Sequence, residues 1–365
     1  MGEADNEVNV AEDAQDGAAA APSRGVLLAV VGVVWMAAML WSARATITGR
    51  ANAEMEVTST AYAMPGAIAA SLVAGAAVAL TVLAFLTRGD RTPGVTVRFI
   101  IATGSGLAIG LLGALAIITI NTEGWLYAVV GGTIAAAATI GGALAGFHYR
   151  RVTAAVCWGA VAVFVVGFVL NVLQDMLLPL LGSGDTAASQ TSAATWFAML
   201  QSVLSGLAGG IVTYRVLRRA RRHTGGPDLS WPLYALAGAG PGLLLVVGEG
   251  LARTAGSRVL ELAGKVSELE LTVQQMLSGS RLNNGLIVLF VGAFTAIIAV
   301  GRTLGPAGGT AERVAETPSP GPVQAAADSP AAADSPADPH EIADPDEIER
   351  AARADEPLRE ARRAR

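Results

Sequence analysis

Cysteine is almost missing from this chain: Cys157 stands alone among 365 residues. An intramolecular disulfide is therefore excluded, and a metal site built on thiolates has no ligand set. Histidine is nearly as scarce. His148 stands beside Arg150 and Arg151, and His223 continues a basic turn. Neither has partners at metal-ligand spacing, so no metal site is expected. Lysine occurs once, at Lys265, and every other base is arginine. With the abundant alanine and glycine, this points to codon usage of a high-GC bacterial genome. Also missing are the Gly-x-x-x-x-Gly-Lys phosphate loop, the His-Glu-x-x-His metal motif and a nucleophile elbow. No catalytic apparatus is visible, so the expectation is a protein that is not an enzyme and carries no cofactor. Nucleic acid is not an expected partner either, because the basic cluster from Arg215 to Arg222 comes with no nucleic-acid-binding fold. It reads as an orientation signal and a contact for anionic lipid.

Charge is low overall, at 15% of residues, against 52% hydrophobic residues and 43 glycines. That balance is far from a soluble domain and places most of the chain in lipid. Its distribution separates two kinds of chain. Residues 1–23 hold six acids and no base, residues 304–365 hold thirteen acids and seven arginines, and the middle holds eleven acids against eighteen bases.

About 20 apolar residues at 1.5 Å rise cover the hydrocarbon core. Eight runs of that kind lie near 25–43, 65–87, 99–120, 126–147, 152–174, 195–214, 231–252 and 284–301. The expected fold class is therefore all-α, a polytopic membrane helix bundle of about eight transmembrane helices within residues 24–303. Arg88, Arg91 and Arg98 follow the second span, Arg150 and Arg151 the fourth, and Arg215, Arg218, Arg219, Arg221 and Arg222 the sixth. The short turns at 121–125 and 182–194 hold no base, and the 44–64 loop holds only Arg44 and Arg50. By the positive-inside rule both termini are cytoplasmic. Trp41-Ser-Ala43 loosely resembles a signal-peptide cleavage site, but an acidic 23-residue leader is unlike a short basic n-region, so the first helix is read as uncleaved. The location expected is a bacterial cytoplasmic membrane, crossed many times.

Residues 1–23 are expected to form an acidic disordered tail. Residues 304–365 are rich in Pro, Ala and Asp, and repeat Ala-Asp-Ser-Pro at 327–330 and 333–336. They bury too little apolar surface to offset ordering entropy, so they are read as a disordered cytoplasmic tail. Thr317, Ser319, Ser329 and Ser335 each precede proline there. A different pattern occupies the loop after span seven, where Val259, Leu262, Val266, Leu269, Val273 and Met276 recur at spacings of 3 and 4. This predicts one outer amphipathic helix over 254–282. Two roles fit it: lying on the membrane surface, or forming a heptad seam that pairs Lys265 with Glu270 across a homodimer. Gly264 interrupts that seam at a cost of about 1 kcal/mol.

Small residues at every fourth position bring helices close in lipid. Span two carries Ser71, Gly75 and Ala79, span three Ala102, Gly106, Gly110 and Ala114, and span six Ser202, Gly206 and Gly210. Span four carries two such ladders on different faces, Gly131-Ala135-Thr139-Ala143 and Ala138-Gly142-Gly146, and is expected to sit between neighbours. Span seven contains Gly238-Ala-Gly-Pro-Gly242, where the proline removes one helical hydrogen bond. Gly240, Pro241 and Gly242 are the candidate hinge. Spans three and seven match poorly under a four-plus-four division, which argues against an internal repeat.

Intramembrane charge is a functional hypothesis by default, so depth decides each case. In Phe168-Val-Leu-Asn-Val-Leu-Gln-Asp-Met-Leu-Leu-Pro-Leu-Leu181, about 20 residues from Val152 reach Asn171, placing Asn171, Gln174 and Asp175 at the outer edge. Met176 to Leu181 then folds back as an apolar cap ended by Pro179. Glu249 lies about 27 Å of helix rise beyond Trp231, and Arg253 at i+4 offers it a local salt bridge. Spans five and seven run the same way, so Asp175 and Glu249 reach one membrane face. Asp175, Glu249, Asn171 and Gln174 are thus candidate residues of an outer vestibule for a cation or small solute. The expected function is a non-catalytic scaffold or accessory subunit of a membrane assembly, its partners being lipid and a second copy or membrane protein bound through 254–282 or the C-terminal tail; the alternative is a small-solute or cation permease with an outer carboxylate vestibule.

Overall fold

The computed structural model describes residues 25–46, 53–87, 94–119, 125–147, 149–222, 230–263 and 268–302, with side chains throughout these except at 53–63, 125, 126, 256–275 and 277. Both tails, His148, His223 and most of the heptad side chains therefore lie outside the described residues. Nine helices are described, and no strand occurs among the described residues. They are α1 (Gly25–Thr46), α2 (Ala53–Leu86), α3 (Val95–Ile118), α4 (Trp125–Gly146), α5 (Arg150–Val172), α6 (Gln174–Leu180), α7 (Ala187–Arg222), α8 (Trp231–Ala263) and α9 (Glu268–Gly301). All except the short α6 contain a stretch long and apolar enough to cross a membrane. The chain is a multi-pass helical membrane protein. Its outward faces carry Ile100, Leu112, Leu115, Val172, Phe290, Phe294 and Ile298, the surface that a hydrocarbon solvent requires.

The alternation of spans brings the arginine-bearing ends to one face. Arg98 at the start of α3 donates through Nε to the Gly146 carbonyl at the end of α4, at 3.0 Å. Thr81 near the end of α2 donates to the Gly25 carbonyl at the start of α1, at 2.8 Å. Tyr214 of α7 and Tyr234 of α8 meet at 6.1 Å between ring centroids. At the opposite face Arg44 of α1 reaches the Ala116 carbonyl and Thr119 hydroxyl of α3, each at 3.4 Å.

Helix α4 lies between α2 and α3 as its small residues predict, but the two expected ladders do not take separate faces. The residues that α3 meets are Gly131, Ala135, Ala138, Gly142 and Gly146, spaced 4, 3, 4 and 4. A strict four-residue ladder turns about 40° per step at 3.6 residues per turn, so a straight contact must hop from one ladder to the other. Gly141, with Ala138, carries the α2 contact. Helix α8 touches α2, α4, α5, α7 and α9.

Several helices continue past the expected spans on the outer side. α2 begins at Ala53 and α7 at Ala187, within stretches read as loops. The region 254–282 was expected as a single amphipathic helix, and it is instead divided: α8 runs to Ala263 and α9 starts at Glu268. These two helices are antiparallel. A Cβ on Gly238 would run into the Gly292 backbone, one on Gly242 into the Leu289 backbone, and one on Gly285 would sit 3.3 Å from Val246.

The stretch 168–181 breaks at Leu173 between α5 and α6. Pro179 lies inside α6 and does not end it. The stop comes at Gly182, whose φ of 87° is accessible to glycine without strain. Ser183 N–H donates to the Leu178 carbonyl and Gly182 N–H to the Pro179 carbonyl, closing the helix in a Schellman arrangement. Met176 and Leu180 are 74% and 82% exposed, so α6 presents an apolar cap at the outer rim.

Candidate functional site

Glu249 is only 5% exposed. The expected bridge to Arg253 is present, with Nε at 3.5 Å from Oε1, but it is the weaker of two. Arg281 of α9 donates through Nε to Oε2 at 3.0 Å. The Ser278 hydroxyl donates a short hydrogen bond to Oε1, and Arg253 Nη2 donates to the Ser278 carbonyl at 2.8 Å. A buried carboxylate needs this company, because an uncompensated charge in low dielectric costs several kcal/mol. The α8–α9 register supplies it: contacts of Gly238 with Gly292, Gly242 with Leu289 and Val246 with Gly285 lead, one turn further out, to Glu249 with Arg281.

The pair borders a cavity of about 300 Å³ inside the bundle. Its walls come from α1 (Trp35, Met39), α2 (Pro65, Gly66, Ala69, Val73), α5 (Ala160, Val163, Phe164, Gly167), α7 (Gln201, Ser202, Ser205), α8 (Pro241, Leu244, Leu245, Glu249) and α9 (Arg281, Asn284, Gly285, Val288). Depth follows from helix rise. Counted from the arginine-bearing face, the innermost wall residues Trp35, Ala160, Ser205 and Pro241 lie about 15 Å deep, and Glu249, Gly167, Arg281 and Pro65 about 26–32 Å. The cavity therefore occupies the half of the bundle from the bilayer midplane to the outer rim, where the ion pair stands. Its deep end is mostly apolar, with Trp35 and Phe164 rings 4.5 Å apart; the polar groups there are the Ser205 hydroxyl and Trp35 Nε1–H, which is buried with no partner among the described residues. Two of its polar side chains are turned to backbone: Gln201 Nε2 donates to the Gly167 carbonyl at 3.1 Å and the Ser202 hydroxyl to the Ala198 carbonyl at 2.8 Å.

The candidate residues separate. Glu249 and Pro241 line the cavity. Asn171 and Asp175 are exposed, Gln174 is half-buried, and none of the three is among the lining residues. Gly240 and Gly242 act as close-approach points, where a Cβ would strike Val156 of α5 and the Leu289 backbone of α9. α8 runs as helix through Pro241, although proline offers no N–H to the Ala237 carbonyl.

Three contributors escape a reading of the sequence alone. Arg281 falls at the end of the expected outer helix 254–282, ahead of the eighth apolar run, and reads as a surface arginine, although Ser278, Arg281 and Gly285 already share one helical face. Pro65 opens the second apolar run and reads as a first-turn proline, whereas α2 starts twelve residues earlier. Gln201 sits in mid-span on α7, and its spacing from Ser202 and Ser205 was the available signal. Among the described residues no group of three or more His, Cys, Asp and Glu side chains converges to hold a metal ion. No family model matches the chain, and no curated protein or solved structure is significantly similar to it.

Proposed function

We propose that this chain is a small-solute permease of a bacterial cytoplasmic membrane, with the solute entering the cavity between α1, α2, α5, α7, α8 and α9. The observation that carries this reading is a cavity reaching the midplane with a buried ion pair at its outer end. Carrier sites lie near the midplane between helices, the depth that the apolar end of this cavity reaches. Here two proline-bearing helices, α2 and α8, each contribute their proline, Pro65 and Pro241, to the cavity wall. An ion pair desolvated inside a membrane contributes little net stability and marks a path for polar solute. A scaffold role would rest on 254–282 or the C-terminal tail and would need no such cavity. Catalysis has no place in this reading.

Purified protein in liposomes tests it. Uptake of a panel of small radiolabelled metabolites is compared with that by Ala69→Trp, which fills the cavity from α2. Uptake lost in the variant supports the proposal. Uptake no greater than that of empty liposomes, or the same with Ala69→Trp, overturns it.

A further inference from the structure

The sign of the solute's charge can be read from the valences around Glu249, and this inference rests on the permease reading above. We infer that the cavity takes a monoanionic amphipathic solute, a carboxylate with an apolar body, its carboxylate held by the free arms of Arg281 beside Asn284.

Glu249 is largely spent on its protein partners, with one acceptor site left, on Oε2. A carboxylate oxygen accepts about two hydrogen bonds. Oε1 already takes the Ser278 hydroxyl and Arg253 Nε, and Oε2 takes Arg281 Nε. Charge points the same way: one carboxylate faces two guanidinium groups, leaving the cluster one positive charge in excess. Glu249 and Arg281 are the charged residues lining the cavity. Arg281 spends one of its five N–H donors on Glu249, and its Nη1 and Nη2 groups have no hydrogen-bond partner among the described residues. A guanidinium fork matches a carboxylate in two parallel hydrogen bonds, and an anion there would complete the neutralisation in a low-dielectric setting. Asn284 is one turn further along the same face of α9 and also lines the cavity.

The body of the solute follows from the deep wall. Trp35, Val163, Phe164, Leu244, Leu245 and Val288 surround it; Ser202 spends its donor and Gln201 one of its two on backbone carbonyls, leaving the buried Trp35 Nε1–H as an unpartnered donor in that wall. A small hydrated anion would find few partners below Asn284, whereas an apolar chain or ring fits against the Trp35–Phe164 pair. The carboxylate sits at the outer end and the apolar end points to the midplane.

The test uses full-length protein in mild detergent and three probes of one shape: 4-phenylbutyrate, 4-phenylbutylamine and 4-phenylbutanol. Midpoint of thermal unfolding is followed against probe concentration, since a ligand bound to the folded state raises it. We expect 4-phenylbutyrate alone to raise the midpoint. Its half-saturating concentration should rise at least tenfold in Arg281→Gln and in Asn284→Leu, and stay unchanged in Asn283→Ala, an exposed neighbour. A response to the amine equal to or above that to the carboxylate, no response to any probe, or carboxylate binding unaltered in both Arg281→Gln and Asn284→Leu would overturn the inference. Flux separates it from the permease reading: transport of the amine without the carboxylate sinks this inference alone, and carboxylate binding without any transport sinks the permease alone.

Discussion

Replacing Glu249 by glutamine removes a charge while keeping shape, and the local geometry sets what that costs. The carboxylate accepts from the Ser278 hydroxyl, from Arg281 Nε at 3.0 Å and from Arg253 Nε at 3.5 Å. Glutamine keeps one acceptor oxygen and turns an NH2 towards at least one of these donors. Removing one partner of a fully buried pair costs about 3–5 kcal/mol. Here the arginine side chains are 33% and 44% exposed and regain part of their hydration, which reduces the expected loss to about 2 kcal/mol. Arg281→Ala leaves Glu249 with Ser278 and Arg253 and should cost a similar amount. Because the two changes destroy one interaction, the double variant should fall short of the sum by about 1–2 kcal/mol. Replacing both by leucine should leave stability within about 1 kcal/mol of the parent, since apolar substitutes often match a buried ion pair, while abolishing carboxylate binding. Denaturant unfolding in mixed micelles, followed by tryptophan emission, measures all four. Additive single-variant losses would refute the reasoning, because additivity means that Glu249 and Arg281 do not interact.

Two further outcomes test the helix contacts. Gly142→Leu should lower stability by about 3 kcal/mol or more, since its Cβ would meet the Ala102 carbonyl at 2.5 Å and Gly106 Cα at 2.8 Å, and backbone cannot yield without parting α3 from α4; Leu144→Phe, at a lipid-facing position, should cost under about 0.5 kcal/mol, and equal thermal midpoints for the two in detergent would contradict the contact. Gly242→Ala should force α8 from Leu289 of α9 and lower both stability and solute uptake, whereas Gly250→Ala, whose Cβ meets nothing within 4 Å, should be neutral or stabilising in the same unfolding assay.

Much of the bundle was legible because lipid imposes a length and a composition on anything that crosses it. The eight runs read from the sequence coincide with eight helices, and the arginines of alternate turns gather at one end through contacts such as Arg98 with Gly146. Outer extensions such as the start of α7 at Ala187 were not legible, because Ala, Ser and Thr with Gln190 give no apolar run above the rim. The depth of Glu249 was available from helix rise; its burial was not. Burial depends on which residue of α9 lies opposite, and that register is set by Gly238, Gly242, Gly285 and Gly292, glycines that look alike in sequence. Asp175 shows the converse. Its position at a helix end implied exposure, and it is exposed.

Thiol accessibility tests most directly whether water reaches the bilayer midplane through the cavity. With the buried Cys157 replaced by alanine, single cysteines at Leu245, Asn284 and Ser205 line the cavity, whereas those at Leu207 and Leu243 face outward at 38% and 46% exposure. In intact membrane vesicles a charged, impermeant thiosulfonate added on the side away from the Arg215 to Arg222 turn should modify the first three and spare the last two. Reaction at none of the cavity positions, or only from the arginine-bearing side, would contradict the account.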